Sequence, residues 1–204
     1  MLRKMFPVAV LILFFAVIGV GQSDPKVQLQ QQLLTQEEMQ ALLGTQWIID
    51  SLAELDNVPD GVVANVVGTY KDTNTSEIVV LSLISFKNVD ATTVYLDGLK
   101  ADKHVSKVRD LLQEAKDAPK DATPLLTDQI KNEAQEVIFV ELTNGLQQLM
   151  LRRANMLTFF RSSMTGPVDL TKLVSVADKQ LGKTLDFCKK AAENGGTAPD
   201  YCAK

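Results

Sequence analysis

Three arginines near two apolar runs are the residues whose type and spacing most directly indicate a binding chemistry. Arg152 and Arg153 end one run and Arg161 ends the next, in "LRRANMLTFFR". Guanidinium groups bind carboxylate or phosphate through paired hydrogen bonds, so such a cluster could contact an anion or a partner. Alternatively, the three charges form a strand edge and turn that prevent strand-to-strand aggregation. The sequence favours the second interpretation and leaves the first open.

Two cysteines, Cys188 and Cys202, are the only ones in the chain. In an exported protein an even pair of cysteines predicts a disulfide. The alternative is a pair of free thiols in a reducing compartment. Asn74 begins an Asn-Thr-Ser sequon, so Asn74 is a candidate glycosylation site if the host glycosylates exported proteins.

No other residues have the spacing of a catalytic or metal site. The single histidine, His104, lies between Lys103 and Lys107 in a stretch predicted to be helical and solvated. Glu136 and Glu141 are five residues apart on a predicted strand, which places them on opposite faces. The sequence therefore predicts no catalytic residue, no metal site and no cofactor, and it leaves enzymatic activity unsettled while leaning against it.

The N-terminus has the order of a signal peptide, with Arg3 and Lys4, an apolar run and then small residues before a cut after Ser23. A retained membrane anchor over 1–23 is the alternative, and it is the only membrane contact predicted. Removing those residues takes two of the 21 basic residues, which leaves 19 against 25 acidic residues and a net charge of −6. A chain this acidic argues against a nucleic-acid partner. Residues 24–33 are Gln-rich and predict a flexible leader.

Periodicity in the first half predicts a helix, a hairpin and a helical stretch. Thr35 with Glu38 forms a capping box before a short helix that stops at Gly44. Valine-rich runs at 61–70 and 77–86 flank a polar turn and predict a hairpin. Residues 88–118 are predicted to be helical, with Gly98 as a possible break. The apolar residues that recur with the helical period are Ala101, Val105, Val108, Leu112 and Ala115.

The second half predicts a meander and a long helix. A buried strand at 136–142 is followed by Asn144–Gly145, which predicts a type I′ turn. The return strand leads to a tight turn at Ala154–Asn155 and a third strand. The long helix is predicted from an N-cap at Asp169 to a stop at Gly195–Gly196. Its apolar stripe is Leu170, Leu173, Val174, Ala177, Leu181, Leu185 and Cys188.

These elements predict an α+β fold, an antiparallel sheet of about five to six strands with helices packed on one face. Residues 34–204 form a single domain in this prediction. Two similar meander-plus-helix halves, 34–118 and 125–204, are a further hypothesis, with 119–124 as the linker between them.

The order of "LLTQEEMQALLG", a valine-rich hairpin, "LRRANMLTFF" and a long helix resembles exported sensor-like and lipoprotein-like α+β domains of prokaryotes. These include extracellular sensor domains of some bacterial receptor kinases, and the resemblance covers about residues 34–190. It implies an α+β sandwich with a cleft, closed by a strand–R-x-x-N–strand hairpin and a helix. The chain contains no kinase domain and no lipid-anchoring cysteine, and no functional residue is carried over.

Three functions follow as hypotheses. The first is a non-catalytic exported binding or interaction module for an unknown small ligand or protein partner. The second is an envelope-attached structural protein held by an uncleaved N-terminus. The third is a hydrolase that uses a converging pair of carboxylates. The predicted location is outside the cytoplasm: secreted, periplasmic or at the cell surface.

Overall fold

A single antiparallel sheet of seven strands organises the chain in a computed structural model, which describes residues 24–56, 58–119, 121–163, 170–195 and 198–203. The strands are β1 Trp47–Glu54, β2 Val62–Asp72, β3 Ile78–Phe86, β4 Val105–Asp110, β5 Glu136–Leu142, β6 Gln147–Arg153 and β7 Met156–Ser163. The helices are α1 Pro25–Gln30, α2 Gln36–Leu43, α3 Val89–Lys100, α4 Leu111–Asp117, α5 Asp128–Glu133 and α6 Leu170–Glu193. The predicted α+β class is confirmed.

The strand order is β1-β2-β3-β7-β6-β5-β4. After the β1–β2–β3 meander, the chain crosses through α3 to the far edge, and then returns strand by strand until β7 pairs with β3. The sheet therefore has one strand more than the upper end of the predicted range, and β4 lies where the sequence predicted a helix. Because β4 pairs with β5, the segments 34–118 and 125–204 share one continuous sheet.

The prediction of one helical stretch over 88–118 is wrong. Asn88 caps α3, which runs through Gly98, but the chain then turns and forms β4 before α4. Val105 and Val108 are three residues apart, which is a helical spacing, yet a bulge between Val105 and Lys107 directs both valines to one face of the sheet. The bulge therefore gave a β-strand the residue spacing that is typical of a helix.

Helices cover both faces of the sheet, which differs from the single covered face predicted. Residues of α1, α2, α5 and α6 pack on the first face. On the second face, α3 packs over a smaller cluster in which Leu96 is buried. Alternation along β3 supplies both cores, since Leu81 and Leu83 point to the first face and Ile84 and Phe86 to the second.

Residues 24–33, for which the sequence predicts a flexible leader, contain α1. Asp24 caps this helix by accepting a hydrogen bond from the Lys26 backbone N–H at 2.9 Å. Leu29 and Gln32 are fully buried. The Gln-rich composition hid this packing because glutamine amides, not apolar side chains alone, make the contacts.

Several local predictions are confirmed. The Thr35–Glu38 capping box starts α2, and the hairpin of β2 and β3 is present. The predicted stripe of α6 lies in the core on the first face. The turn after β5 differs from type I′, because Gly145 has a positive φ of 81° while Asn144 does not. The predicted N-cap Asp169 and the signal segment 1–23 lie outside the described residues.

Within the ranges that the structure describes, no helix has both the length and the apolar character needed to cross a membrane.

Candidate ligand-binding cleft at the hairpin end of the sheet

The first of the three predicted arginines is held by an ion-pair network on the second face. Arg152 lies opposite Leu157 on β7, and its Nε donates to Glu136 Oε2 at 2.5 Å. Lys100 of α3 also donates to Glu136, at 3.2 Å. This network ties α3 to the sheet, so the Arg152 guanidinium has an internal carboxylate partner.

Arg153 points to the opposite face and holds the C-terminal tail. The residue is only 4% exposed. Its guanidinium donates to the backbone carbonyl of Tyr201 and, at 3.4 and 3.5 Å, to those of Cys202 and Ala203. The Glu133 carboxylate lies 3.6 Å away. Arg153 therefore binds backbone oxygens of its own chain.

Arg161 is the arginine that stays exposed. Its guanidinium lies 5.4 Å from the centroid of the Phe159 ring, a cation–π distance. Gln148, with its amide oxygen facing the guanidinium, accepts two hydrogen bonds from Arg161 at 3.2 Å. Arg152 and Arg153 lie on opposite faces, and Arg161 lies opposite Gln148, four residues along β6 from Arg152. The fold does not gather the three into one cluster.

The tail that Arg153 binds, residues 198–203, is fixed at two further points. The predicted disulfide between Cys188 and Cys202 is present and joins the tail to α6. Tyr201 is buried, and its hydroxyl accepts a hydrogen bond from Gln32 Nε2 at 2.8 Å. Burial raises the pKa of the Tyr201 hydroxyl to about 12, although the hydrogen bond from Gln32 opposes the shift. A disulfide of this kind favours an exported protein.

A cleft of about 500 Å³ opens between this tail and the end of the sheet. Its walls come from five separate segments, namely the start of α1, the start of β2, the end of β3, the Ala154–Asn155 turn and the tail. Most of the lining is apolar, as with Val63, Phe86 and Pro199. The volume falls within the roughly 300–1,000 Å³ of small-molecule sites.

Two buried oxygens in the walls of this cleft lack partners among the described residues. They are Ser85 Oγ and Asn155 Oδ1. The orientation of the Asn155 amide is set by its Nδ2, which donates to the Phe86 carbonyl at 2.6 Å. The free atom is therefore an acceptor. An unpaired buried polar atom costs about 1–3 kcal/mol, so a hydrogen-bond donor that reaches these oxygens would be stabilised.

Charged groups at the cleft are Lys87 and Asp200, both exposed and neither ion-paired within the described residues. Asp200 is the one carboxylate among the described lining residues, whereas the hydrolase hypothesis needs a converging pair. Glu136 and Glu141 lie elsewhere, on β5, and their separation of five residues directs them to opposite faces.

The remaining predicted residues lie apart from the cleft. Asn74 is exposed in the turn after β2, where its backbone N–H donates to Asp72 Oδ1 at 2.7 Å, and its glycosylation stays a prediction. His104 is exposed in the turn before β4, not on a helix. Over the described ranges, no three histidine, cysteine, aspartate or glutamate side chains come together in a way that could hold a metal ion.

Sequence reasoning missed Ser85 and all of the tail as parts of a site. Ser85 stands inside an apolar strand and had no motif around it. Asn155 was visible only as a turn residue, in which role it is confirmed by the positive φ of 47° at the adjacent Ala154. The cleft becomes visible only when segments more than a hundred residues apart are brought together.

No family model and no curated protein sequence matches the chain. Among solved structures, the chain is similar to the extracellular domain of PknH from Mycobacterium tuberculosis. The identity is 12% and the TM-score 0.47, over 78% of this chain and 95% of that domain.

Proposed function

We propose that the protein is a non-catalytic exported binding module that holds a small ligand in the cleft at the hairpin end of the sheet. The observation that carries this proposal is the pair of unpartnered oxygens, Ser85 Oγ and Asn155 Oδ1, in the walls of one largely apolar cleft. The disulfide supports the exported location. A sensing role, as in the domains that the sequence resembles, would follow from such binding.

The polar atoms in the cleft wall indicate which functional groups the ligand carries. Asn155 Oδ1 can only accept a hydrogen bond, so it favours an N–H or O–H donor and disfavours an anion. Because both oxygens lie beneath the wall surface, the ligand must displace wall atoms to reach them. The preferred ligand is therefore a small, largely apolar molecule with at least one donor group.

Native mass spectrometry of the chain purified from its own host tests the proposal. We expect a bound mass that denaturation releases. Ser85→Ala should lower its occupancy, whereas Ser82→Ala should not, because Ser82 is also buried on β3 but points to the other face. A bare wild-type chain, or equal losses in both variants, would contradict the proposal.

A matched set of probes tests the donor preference. Cyclohexanecarboxamide, cyclohexanecarboxylate and the methyl ester share one apolar body and differ in the polar group. In NMR titrations we expect the carboxamide to shift the amide signals of Phe86, Asn155 and Tyr201 more strongly than the other two probes do. Stronger binding of the carboxylate would show that the site selects anions instead.

The envelope-attached alternative depends on residues 1–23. N-terminal sequencing separates it from the secreted form, because a protein in the medium that begins at Asp24 has lost the only candidate anchor. A membrane-bound chain that still begins at Met1 would favour attachment, and the cleft could operate in either form.

A further inference from the structure

Both outer strands of the sheet have an unpaired side. Among the described residues, β1 pairs only with β2 and β4 only with β5, so the described sheet ends at these two strands. An exposed strand edge offers backbone N–H and C=O groups to another strand, and proteins usually protect such edges. In β1 the protection is partial. Side chains of α2 cap its beginning, since Gln36 accepts from the Ile49 N–H and Gln40 donates to the Trp47 carbonyl.

The two edges carry opposite charge. Residues 47–56, which contain β1, have Asp50, Glu54 and Asp56 and no basic residue. Residues 103–110, which contain β4, have Lys103, Lys107 and Arg109 against one acidic residue, Asp110.

Some of these charges already have partners within the chain. Asp56 pairs with Lys26, and Arg109 with Glu114. Asp50, Glu54, Lys103 and Lys107 form no ion pair with any described residue, and they are exposed. Each edge thus keeps charges without a direct ion pair, although Glu54 attracts Lys26 and Lys107 attracts Glu114 at longer range.

The acidic and basic side chains also lie on the same face of the sheet. Glu54 pairs in register with Val66, and Arg109 pairs with Phe139; Val66 and Phe139 belong to one core cluster on the first face. Lys107, two residues before Arg109, points the same way. If the sheet continued from one molecule into the next, Glu54 would face basic side chains across the junction.

Exposed apolar side chains accompany both edges. Leu52 on β1 is 47% exposed and Val108 on β4 is 42% exposed. A strand pairing at 51–54, beyond the segment that α2 caps, would span about 13 Å. On β4, charged and apolar side chains alternate in Lys107, Val108 and Arg109, which suits an added strand, in which backbone hydrogen bonds give affinity and side chains give register.

We propose that copies of this protein associate head to tail, with the basic edge at β4 of one copy beside residues 51–54 of β1 in the next. This arrangement joins unlike charges, whereas a twofold β1–β1 contact would place acidic residues against acidic residues. The contact is heterologous, so it produces rings or open chains of molecules rather than a closed dimer. It buries a small area and is therefore weak.

Sedimentation velocity of the oxidised mature chain, up to a concentration of about 1 mM, measures the association. We expect a weight-average sedimentation coefficient that rises with concentration at 50 mM salt and rises less at 500 mM, because salt screens exposed charges. Glu54→Lys and Lys107→Glu should each weaken association by about fivefold or more. Glu193→Lys, a matched reversal at the end of α6, should not.

Mixing the two edge variants decides between head-to-tail and twofold contacts. In the mixture, the new lysine of the Glu54→Lys chain faces the new glutamate of the Lys107→Glu chain, so the mixture should associate more strongly than either variant alone. The double variant, with both charges exchanged, should recover self-association. A wild-type chain that stays monomeric at all concentrations overturns the proposal. Loss of association that neither the mixture nor the double variant restores also overturns it.

Discussion

Replacing Arg153 with methionine tests whether this arginine serves the fold. Arg153 is 4% exposed, and its guanidinium donates to three backbone carbonyls of the tail, two of them at 3.4 and 3.5 Å. A hydrogen bond from a charged donor contributes about 1.5–3 kcal/mol, and the two long contacts contribute less. The Glu133 carboxylate at 3.6 Å is partly exposed, and solvent screens its attraction. Arg153→Met should therefore lower the free energy of unfolding by about 2–4 kcal/mol.

Urea denaturation under oxidising conditions measures this loss, and hydrogen exchange locates it. We expect faster exchange in residues 198–203, because these lose their donor. Arg152→Met is the matched control, since Arg152 lies in the same hairpin but pairs with Glu136 on the other face. A loss below about 1 kcal/mol, or tail exchange that rises equally in both variants, would refute the assigned role of Arg153.

Three further predictions concern the ends of the described chain. Cys188→Ala/Cys202→Ala should lower the free energy of unfolding by about 3 kcal/mol, since the bridge spans 14 residues in sequence, and chemical denaturation checks this. The pKa of Tyr201 is raised in the folded state, so the contribution of its hydroxyl to the free energy of unfolding is complete below about pH 10 and is lost as the pH rises towards 12. Over that window Tyr201→Phe should therefore lose less stability than the wild-type chain, as measured by denaturation at each pH. Thr35→Ala removes the capping box with Glu38 and should lower the free energy of unfolding by about 1 kcal/mol, which calorimetry can measure.

Local chemistry made parts of the fold predictable. The capping box at Thr35 and the turn at Ala154–Asn155 each depend on a few neighbouring residues, and the structure contains both. The stripe of α6 was equally readable, because 24 residues sample the helical period many times. At β4, by contrast, six residues with a bulge carried too little pattern to distinguish a strand from a helix.

The prediction of a flexible leader over residues 24–33 differs from the structure for another reason, since the ordered conformation of this segment depends on distant partners. Gln32 donates to the Tyr201 hydroxyl, 169 residues away, and Gln180 of α6 donates to the Gln32 carbonyl at 2.8 Å. Glutamine is a common residue in flexible segments, and only the tertiary structure supplies these amides with buried partners. The same dependence on distant partners explains why the sequence could not separate the roles of Arg152 and Arg153, whose neighbours come from different layers.

The cleft shares this long-range origin, which determines how it can be disturbed. One wall belongs to the sheet, whose strands pair along their length, and another belongs to a short tail held by Arg153, Tyr201 and the disulfide. A change that frees the tail should therefore alter the cleft before it alters the sheet, because local openings begin where few contacts hold the chain. Reduction of the disulfide should weaken ligand binding at conditions in which the sheet remains folded. If reduction instead abolished ligand binding and sheet structure together, the tail and the sheet would form one cooperative unit.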